Sequence, residues 1–288
     1  MNEPLAVSNG LKLRWINGQC FEFQFSNGKT LLTDPWYSWP DQESPLGRVC
    51  PQQFSVDDLE GADYIFLNHC HGDHIANVQE VYDRFHSLIL THSATAMEAA
   101  KAFDVALTSI YPLDYGNTYY FDGFILETFH GTHHTQTSSL AESLERHRKR
   151  GLERNCLLQS MGSVFNMNFL LTTQEGLRIA FIGGNDDGML SRLDGKNRPN
   201  VIIRNKMHSS KHLDNVSQDW ADFFMQANTQ MLIPMHYETW LTDRPEFAAD
   251  VFRDMNRIME ENGRVGRVAP MERGKWYSLS LSLTELSV

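Results

Sequence analysis

Four side chains able to bind a metal ion, His69, His71, Asp73 and His74, fall within the short run Asn68-His69-Cys70-His71-Gly72-Asp73-His74. Neutral imidazole and carboxylate are ordinary ligands for zinc, and also for iron or manganese, so the residue types imply a metal site without naming the ion. A lone histidine is more often a packed core residue, but chelating groups this close together have no comparable packing explanation. In an extended stretch, side chains two apart point the same way, so His69 and His71 share a direction while Asp73 and His74 turn toward a neighbouring position. One loop can thus serve two ions. Cys70 alternates away from both histidines and belongs beneath the loop.

Such a loop needs a sheet to hold it. The apolar run Tyr64-Ile65-Phe66-Leu67 before the cluster reads as a buried strand and Ile75 to Phe85 after it as a helix, which places the cluster on a strand-to-helix turn. A strand Ser87 to Leu90 and a helix Ala94 to Phe103 continue in βαβα order. Upstream, strands Leu11 to Ile16, Cys20 to Phe25 and Lys29 to Thr33 are separated by Asn17-Gly18 and Asn27-Gly28, which reads as an antiparallel meander. Asp34-Pro35-Trp36 then opens a loop reaching about residue 55, where Trp36, Tyr37 and Trp39 are expected either as exposed aromatics on a pocket wall or as packing under the loop. Further strands are expected at Phe124 to Phe129, Phe165 to Thr172, Arg178 to Gly183, Val201 to Arg204, Met231 to Pro234 and Trp276 to Leu283. Helices are expected around 138–150, 216–227 and 245–262, the last begun by Pro245 and ended by Gly263. The polar, charged segment 135–160 reads as an inserted helical excursion, serving as a lid, an oligomer contact or a solvated face. Its basic patch Arg146 to Arg150 reads as an ordinary exposed helix.

His69, His71, Asp73 and His74 match the pattern HxHxDH without a gap, and on that run the sequence resembles the metallo-β-lactamase superfamily. The resemblance implies an α/β fold of four layers, αββα, with two mixed β-sheets sandwiched by helices. It also implies a histidine after a middle strand, an acidic ligand after a later strand and a last histidine near the C-terminus. For the first, His130-Gly131-Thr132-His133-His134 offers His133, with His130 and His134 as alternatives. For the second, Gly183-Gly184-Asn185-Asp186-Asp187-Gly188 puts Asn185 where the superfamily usually carries a bridging aspartate. An amide cannot bridge two metals as a carboxylate does, so Asp186 is expected as the ligand; otherwise the second metal is weakly held. His236 supplies the last position. Together with Leu32-Thr33-Asp34-Pro35, the segment around His236 looks most like the branch of ascorbate-6-phosphate lactonase and N-acylphosphatidylethanolamine-hydrolysing phospholipase D. The resemblance spans about residues 11–283.

Asp34 is placed either to accept the free ring N–H of a ligand histidine, fixing its tautomer, or to cap the turn before Pro35. His208 and His212 follow strand 201–204 on the same rim, where they would contact a substrate phosphate or carboxylate or lie in a solvated loop; His208 is the stronger candidate. Trp36, Tyr37, Trp39, Tyr237 and Trp240 either frame the pocket or serve structure.

Two zinc ions in such a site would lower the pKa of a shared water toward neutrality, while one of them polarises a carbonyl or phosphoryl oxygen. Asp73 would be ligand and orienter of that water. The expected activity is metal-dependent hydrolysis of an ester, lactone or phosphodiester of a small polar molecule. Two other readings stay open: a di-iron, oxygen-dependent oxidoreductase on the same ligands, and a non-catalytic metal-binding protein in which Asn185 has cost the second ion.

The net charge of −11 opposes a broad nucleic-acid surface, since phosphate binding is driven by Lys and Arg. It does not oppose an anionic small substrate, because bound dications dominate the local field. Cys20, Cys50, Cys70 and Cys156 show no paired spacing and read as reduced thiols. The start MNEPLAVSNGLKLRW lacks the pattern of a signal peptide, and no run of about 18 apolar residues is present, so no transmembrane segment and a cytoplasmic location are expected. A length of 288 residues fits one domain, and nothing in the sequence opposes a homo-oligomer.

Overall fold

The computed structural model describes residues 5–6, 10–51, 54–133, 139–149, 155–184, 187–205, 216–238, 245–264, 267–279 and 282–283. The chain begins with β1 (Leu5–Ala6), which later pairs with a C-terminal strand in a small two-stranded sheet. The meander follows as β2 (Leu11–Asn17), β3 (Cys20–Gln24) and β4 (Thr30–Thr33), all antiparallel. Gly18 and Gly28, at φ 52° and 85°, make the left-handed turns that connect them. After the short helix α1 (Pro45–Val49), β5 (Tyr64–Phe66) adds in parallel to β4. Helices α2 (Gly72–Ile75) and α3 (Val78–Phe85) lead to β6 (Leu88–His92), and α4 (Ala96–Ala102) leads to β7 (Ile110–Leu113), both strands parallel to their predecessors.

The second sheet starts with the antiparallel strands β8 (Thr118–Phe121), β9 (Phe124–Gly131), β10 (Asn166–Thr173) and β11 (Arg178–Ile182). Helices α5 (Leu140–Lys149) and α6 (Cys156–Gly162) lie between β9 and β10. It continues in parallel with β12 (Val201–Asn205), β13 (Met231–Met235) and β14 (Arg267–Val268), linked by α7 (Val216–Ala227) and α8 (Pro245–Glu261). β15 (Trp276–Leu279) returns to the edge of the first sheet beside β2, and β16 (Ser282–Leu283) pairs with β1. Each large sheet is therefore half antiparallel and half parallel.

The sheets stack through aromatic side chains on their facing surfaces. Phe66 meets Phe169 with ring centroids 4.5 Å apart, Phe25 meets Phe124 at 4.7 Å, and Phe21 meets Phe181 edge-on at 6.1 Å. Burying each such ring contributes about 1.5–3 kcal/mol. The opposite face of the first sheet, carrying Leu32, Ile65 and Ile89, packs with Val78 and Val81 of α3 and Ala99 of α4. Trp220 and Phe224 of α7 and Val251 and Met255 of α8 join the core of the second sheet. The result is two mixed sheets flanked by helices, the four-layer αββα arrangement. Parallel strands covered on both faces read as continuous apolar runs, which is why Arg178–Ile182 and Val201–Asn205 are legible as strands.

The structure adds to or corrects several expectations. Strands β7 and β8 were not anticipated; β7 contains Pro112, which an edge strand tolerates because one side of its ladder is unpaired. The helix after the histidine run breaks at Asn77, whose N–H donates to Pro35 O and whose Oδ1 accepts from the N–H groups of Tyr37 and Ser38. Of the two readings of the aromatic loop, Trp36 and Tyr37 follow the packing one: both are buried, Trp36 against Val49 and Cys50. Segment 135–160 is not merely a solvated face, since Leu158 of α6 enters the cluster beneath the first sheet beside Cys70. Among the described residues no helix is long and apolar enough to cross a membrane.

Candidate metal centre

Three strand ends converge at one mouth of the sandwich. The β5 end delivers His69, His71, Asp73 and His74, the β9 end delivers His133, and the β13 end delivers His236. Among the described residues, potential donors form the groups His69–His71–His133 and Asp73–His74–His236, bridged by a third, Asp34–His69–His74, with all ligand atoms of each group within 4.8 Å of one another.

In the first group, the Asn68 amide is oriented by donation from its Nδ2 to Met167 O at 2.6 Å, so its Oδ1 accepts from His69 Nδ1 at 3.0 Å. That leaves the His69 Nε2 lone pair buried with no hydrogen-bond partner. Burial, then the charges of His74 and His71, push the His69 pKa well below its ordinary value, so the ring is neutral and ready to ligate. Leaving a buried acceptor unpaired costs about 1–3 kcal/mol, which a cation at this position would offset. His71 Nε2 pairs with Ser163 Oγ at 2.8 Å. The His71 ring lies 4.8 Å from that of His69 and 4.4 Å from that of His133. Gly162 allows this closeness: a Cβ there would lie 2.9 Å from His71 N and from its ring.

In the second group, each histidine has a buried carboxylate behind it. His74 Nδ1 donates to Asp34 Oδ2 at 2.9 Å and His236 Nδ1 to Glu238 Oε1 at 2.6 Å. Both Nε2 atoms face Asp73 Oδ2, at 3.8 and 3.5 Å. Carboxylate–histidine pairs of this kind fix the tautomer and raise the basicity of a metal ligand. Asp34 also accepts from Asn68 N at 2.7 Å, which ties the meander to the histidine loop. Asp34 and His236 both have positive φ, 39° and 55°, a conformation that costs non-glycine residues about 1–3 kcal/mol and clusters at functional sites.

The electrostatics match a site built for cations. Burial opposes the Asp73 carboxylate, but the charge of His74 and the hydrogen bond from His236 hold its pKa far below the ordinary range. Burial alone would lower the His236 pKa, yet Glu238 and Asp73 raise it to about 10. Burial likewise opposes the Glu238 carboxylate, and His236 keeps its pKa below normal. Burial raises the Asp34 pKa despite His74 beside it. The donor set is imidazole and carboxylate only, and with the buried, unpaired Nε2 of His69 it fits bound metal.

Beneath the site, Gly183 is clamped by side chains from both sheets. Gln19 Nε2 and Asn205 Nδ2 donate to its carbonyl at 2.6 and 3.1 Å, and its N–H donates to Asn168 Oδ1 at 2.9 Å. A Cβ on Gly183 would sit 2.3 Å from Asn68 Oδ1. Gly183, two positions before Asn185, is thereby held in place. Asn185, Asp186, His134, His208, His212 and Trp240 lie outside the described residues. His130 does not join the cluster; it is exposed, with its ring 5.0 Å from that of Tyr115. Tyr237 is buried and stacks on Trp15 at 5.2 Å, and Trp36 meets the His236 ring edge-on at 5.9 Å. Trp39 is half-buried over Gly72, whose Cβ would lie 3.1 Å from the indole.

Sequence reasoning missed Asn68, Glu238, Ser163 and His147, whose ring lies 5.6 Å from that of His71. For Glu238 a signal existed: a carboxylate two residues beyond a histidine that itself follows a strand.

A family model described as a beta-lactamase superfamily domain matches residues 12–236. A UPF0173 metal-dependent hydrolase from Thermodesulfovibrio yellowstonii is 33% identical over 78 residues, 27% of each chain. A second relative of that description, from Caldivirga maquilingensis, is 27% identical over 31% of this chain; the matched stretches span 27% and 34% of the two relatives' lengths. Among solved structures, Igni18, a metallo hydrolase from Ignicoccus hospitalis, superposes with a TM-score of 0.62 at 15% identity, covering 94% of this chain and 99% of its own. CmlA, a diiron beta-hydroxylase from Streptomyces venezuelae, superposes with a TM-score of 0.59 at 11% identity, covering 96% of this chain and 55% of its own.

Proposed function

The chain belongs to the β-lactamase superfamily, and we propose that it is a metal-dependent hydrolase acting on an ester, lactone or phosphodiester of a small polar molecule. The observation that carries this reading is the pair of adjacent donor groups, each complete in three protein ligands. Catalytic zinc sites commonly use three protein ligands and an open position. His69, His71 and His133 would hold one ion and Asp73, His74 and His236 the other, with Asp186 as a further donor. Zinc is the reading we adopt, with iron or manganese as alternatives the ligand types also suit. When bound, the ions supply Lewis acidity and an activated water at neutral pH.

The protein's own part is orientation. Asp34 and Glu238 hold protons on the outer nitrogens of His74 and His236, so that each inner nitrogen presents a lone pair. Asp73, kept ionised, stands between those rings and orients the attacking water. His208 would contact an anionic substrate group on the same rim. Likeness of the Asp34 and His236 segments to the lactonase and phospholipase D branch supports that substrate range. We further propose a cytoplasmic protein in which residues 1–288 form a single domain.

The test is metal content by elemental mass spectrometry on protein purified without added metal, together with turnover of bis(p-nitrophenyl) phosphate and a lactone panel. About two zincs per chain and turnover of either class support the hydrolase. About two irons, with no hydrolysis, would replace it with oxygen-dependent oxidation. One metal or none, with no turnover, would leave a binding protein.

A further inference from the structure

Helix α5 buries an unusual pair. An amphipathic helix normally turns apolar residues inward, yet the buried residues of α5 are Ser143 and His147, while Glu142, Glu145, Arg148 and Lys149 are exposed. What these two face is polar: the His147 ring lies 5.6 Å from that of His71. His147 Nδ1 is 2.9 Å from Ser143 O, and a carbonyl can only accept, so Nδ1 carries the proton. With the proton held on Nδ1, Nε2 is the ring atom left to accept a hydrogen bond.

The arrangement repeats that of His74 and His236, whose Nδ1–H groups are likewise committed behind the ring. The position differs. The His71 ring is 4.4 Å from His133, closer than His147, and His147 belongs to neither three-donor group. The ring thus lies beside the donor groups without belonging to them.

We propose that His147 is a substrate-binding residue, its Nε2 accepting a hydrogen bond from an O–H or N–H of the molecule held at the metal centre. The site thereby favours substrates with a donor next to the metal-bound group, such as a protonated phosphate oxygen or a neighbouring hydroxyl. This rests on the metal-centre reading of the site but not on any one hydrolytic reaction. A site built to accept a hydrogen bond discriminates against an analogue lacking the donor, because its acceptor is left unpaired.

Hydrogen phosphate and sulfate provide the probe pair, since they share a shape but only the first carries an O–H near neutral pH. Binding of each to the zinc-loaded protein is measured by titration calorimetry for the wild type, His147→Ala, His147→Gln and, as a charge control, Arg148→Ala, with zinc content and circular dichroism checked for each. Loss of about tenfold in phosphate affinity in His147→Ala, with sulfate unchanged, is expected from one lost hydrogen bond to a charged ligand. His147→Gln should fall between, and Arg148→Ala should match the wild type. Equal weakening of both anions, no change in either, or no phosphate binding by the wild type would overturn the proposal. Failure of the hydrolase reading is seen separately, as zinc-loaded wild type that binds phosphate selectively yet turns over neither the phosphodiester nor any lactone.

Discussion

Glu238 Oε1 stands 2.6 Å from Nδ1 of His236, two residues earlier in the chain, and both side chains are buried at the end of β13. The left-handed backbone of His236 bends the chain so that a residue and its second neighbour face each other instead of running on along a strand. A ring of the second donor group and the carboxylate behind it thus come from one tight turn.

Glu238→Gln should therefore weaken zinc binding by about 10–100-fold, the usual effect of removing the group behind a ligand histidine. Chelator competition on the purified variant measures it. Unchanged affinity would mean that Glu238 serves packing alone.

The metal-free protein should respond to pH through the same pair. His236 has a folded pKa of about 10 against an ordinary 6.5, so its contribution to stability is fully present below 6.5 and is lost as pH rises through 10. Thermal melts of chelator-treated protein should show a falling midpoint between those limits. Zinc must displace that proton, so at neutral pH its binding to the Asp73–His74–His236 group should release about one proton, and affinity should rise with pH. Calorimetry in buffers of different ionisation enthalpy counts the protons.

Asp73→Ala removes the carboxylate from the second donor group and leaves His69, His71 and His133 untouched. Metal content should fall from about two ions to about one. Turnover of a responsive phosphodiester or lactone should fall by about 10²–10³-fold, the scale seen when one transition-state contact is lost. Retention of both ions would remove Asp73 from the ligand set.

Gly162→Ala tests the packing behind the first group. A methyl there would lie 2.9 Å from Cys70 C and from His71 N, backbone atoms that cannot rotate away. Destabilisation of about 1–3 kcal/mol is expected from the overpacking, despite the better helix propensity of alanine. Denaturant unfolding and zinc competition should both register it.

What could be read without coordinates was what is local in the chain. The HxHxDH run announces itself because its ligands are crowded together, and the strands around it because both faces of parallel strands are apolar. Asp34 was legible as a candidate partner of a ligand histidine, and it pairs with His74. Glu238 escaped notice because an acid near a histidine is common, and only the left-handed turn at His236 makes the two meet. His147 was hidden for the opposite reason: four charged neighbours, Glu145, Arg146, Arg148 and Lys149, made its helix look wholly solvated. Helix α6 was submerged in the same polar stretch, although Leu158 is buried under the first sheet.

The chain between His133 and Ser163 leaves from one ring of the first donor group and returns at the hydroxyl that holds another. Between those two anchors, α5 turns His147 toward the His71 ring, whereas α6 packs against the histidine loop through Leu158 and Gly162. Substitutions on the inward face of α5 should therefore change which molecules are accepted with little effect on the donor groups, whereas changes in α6 should disturb the loop that carries His69 and His71.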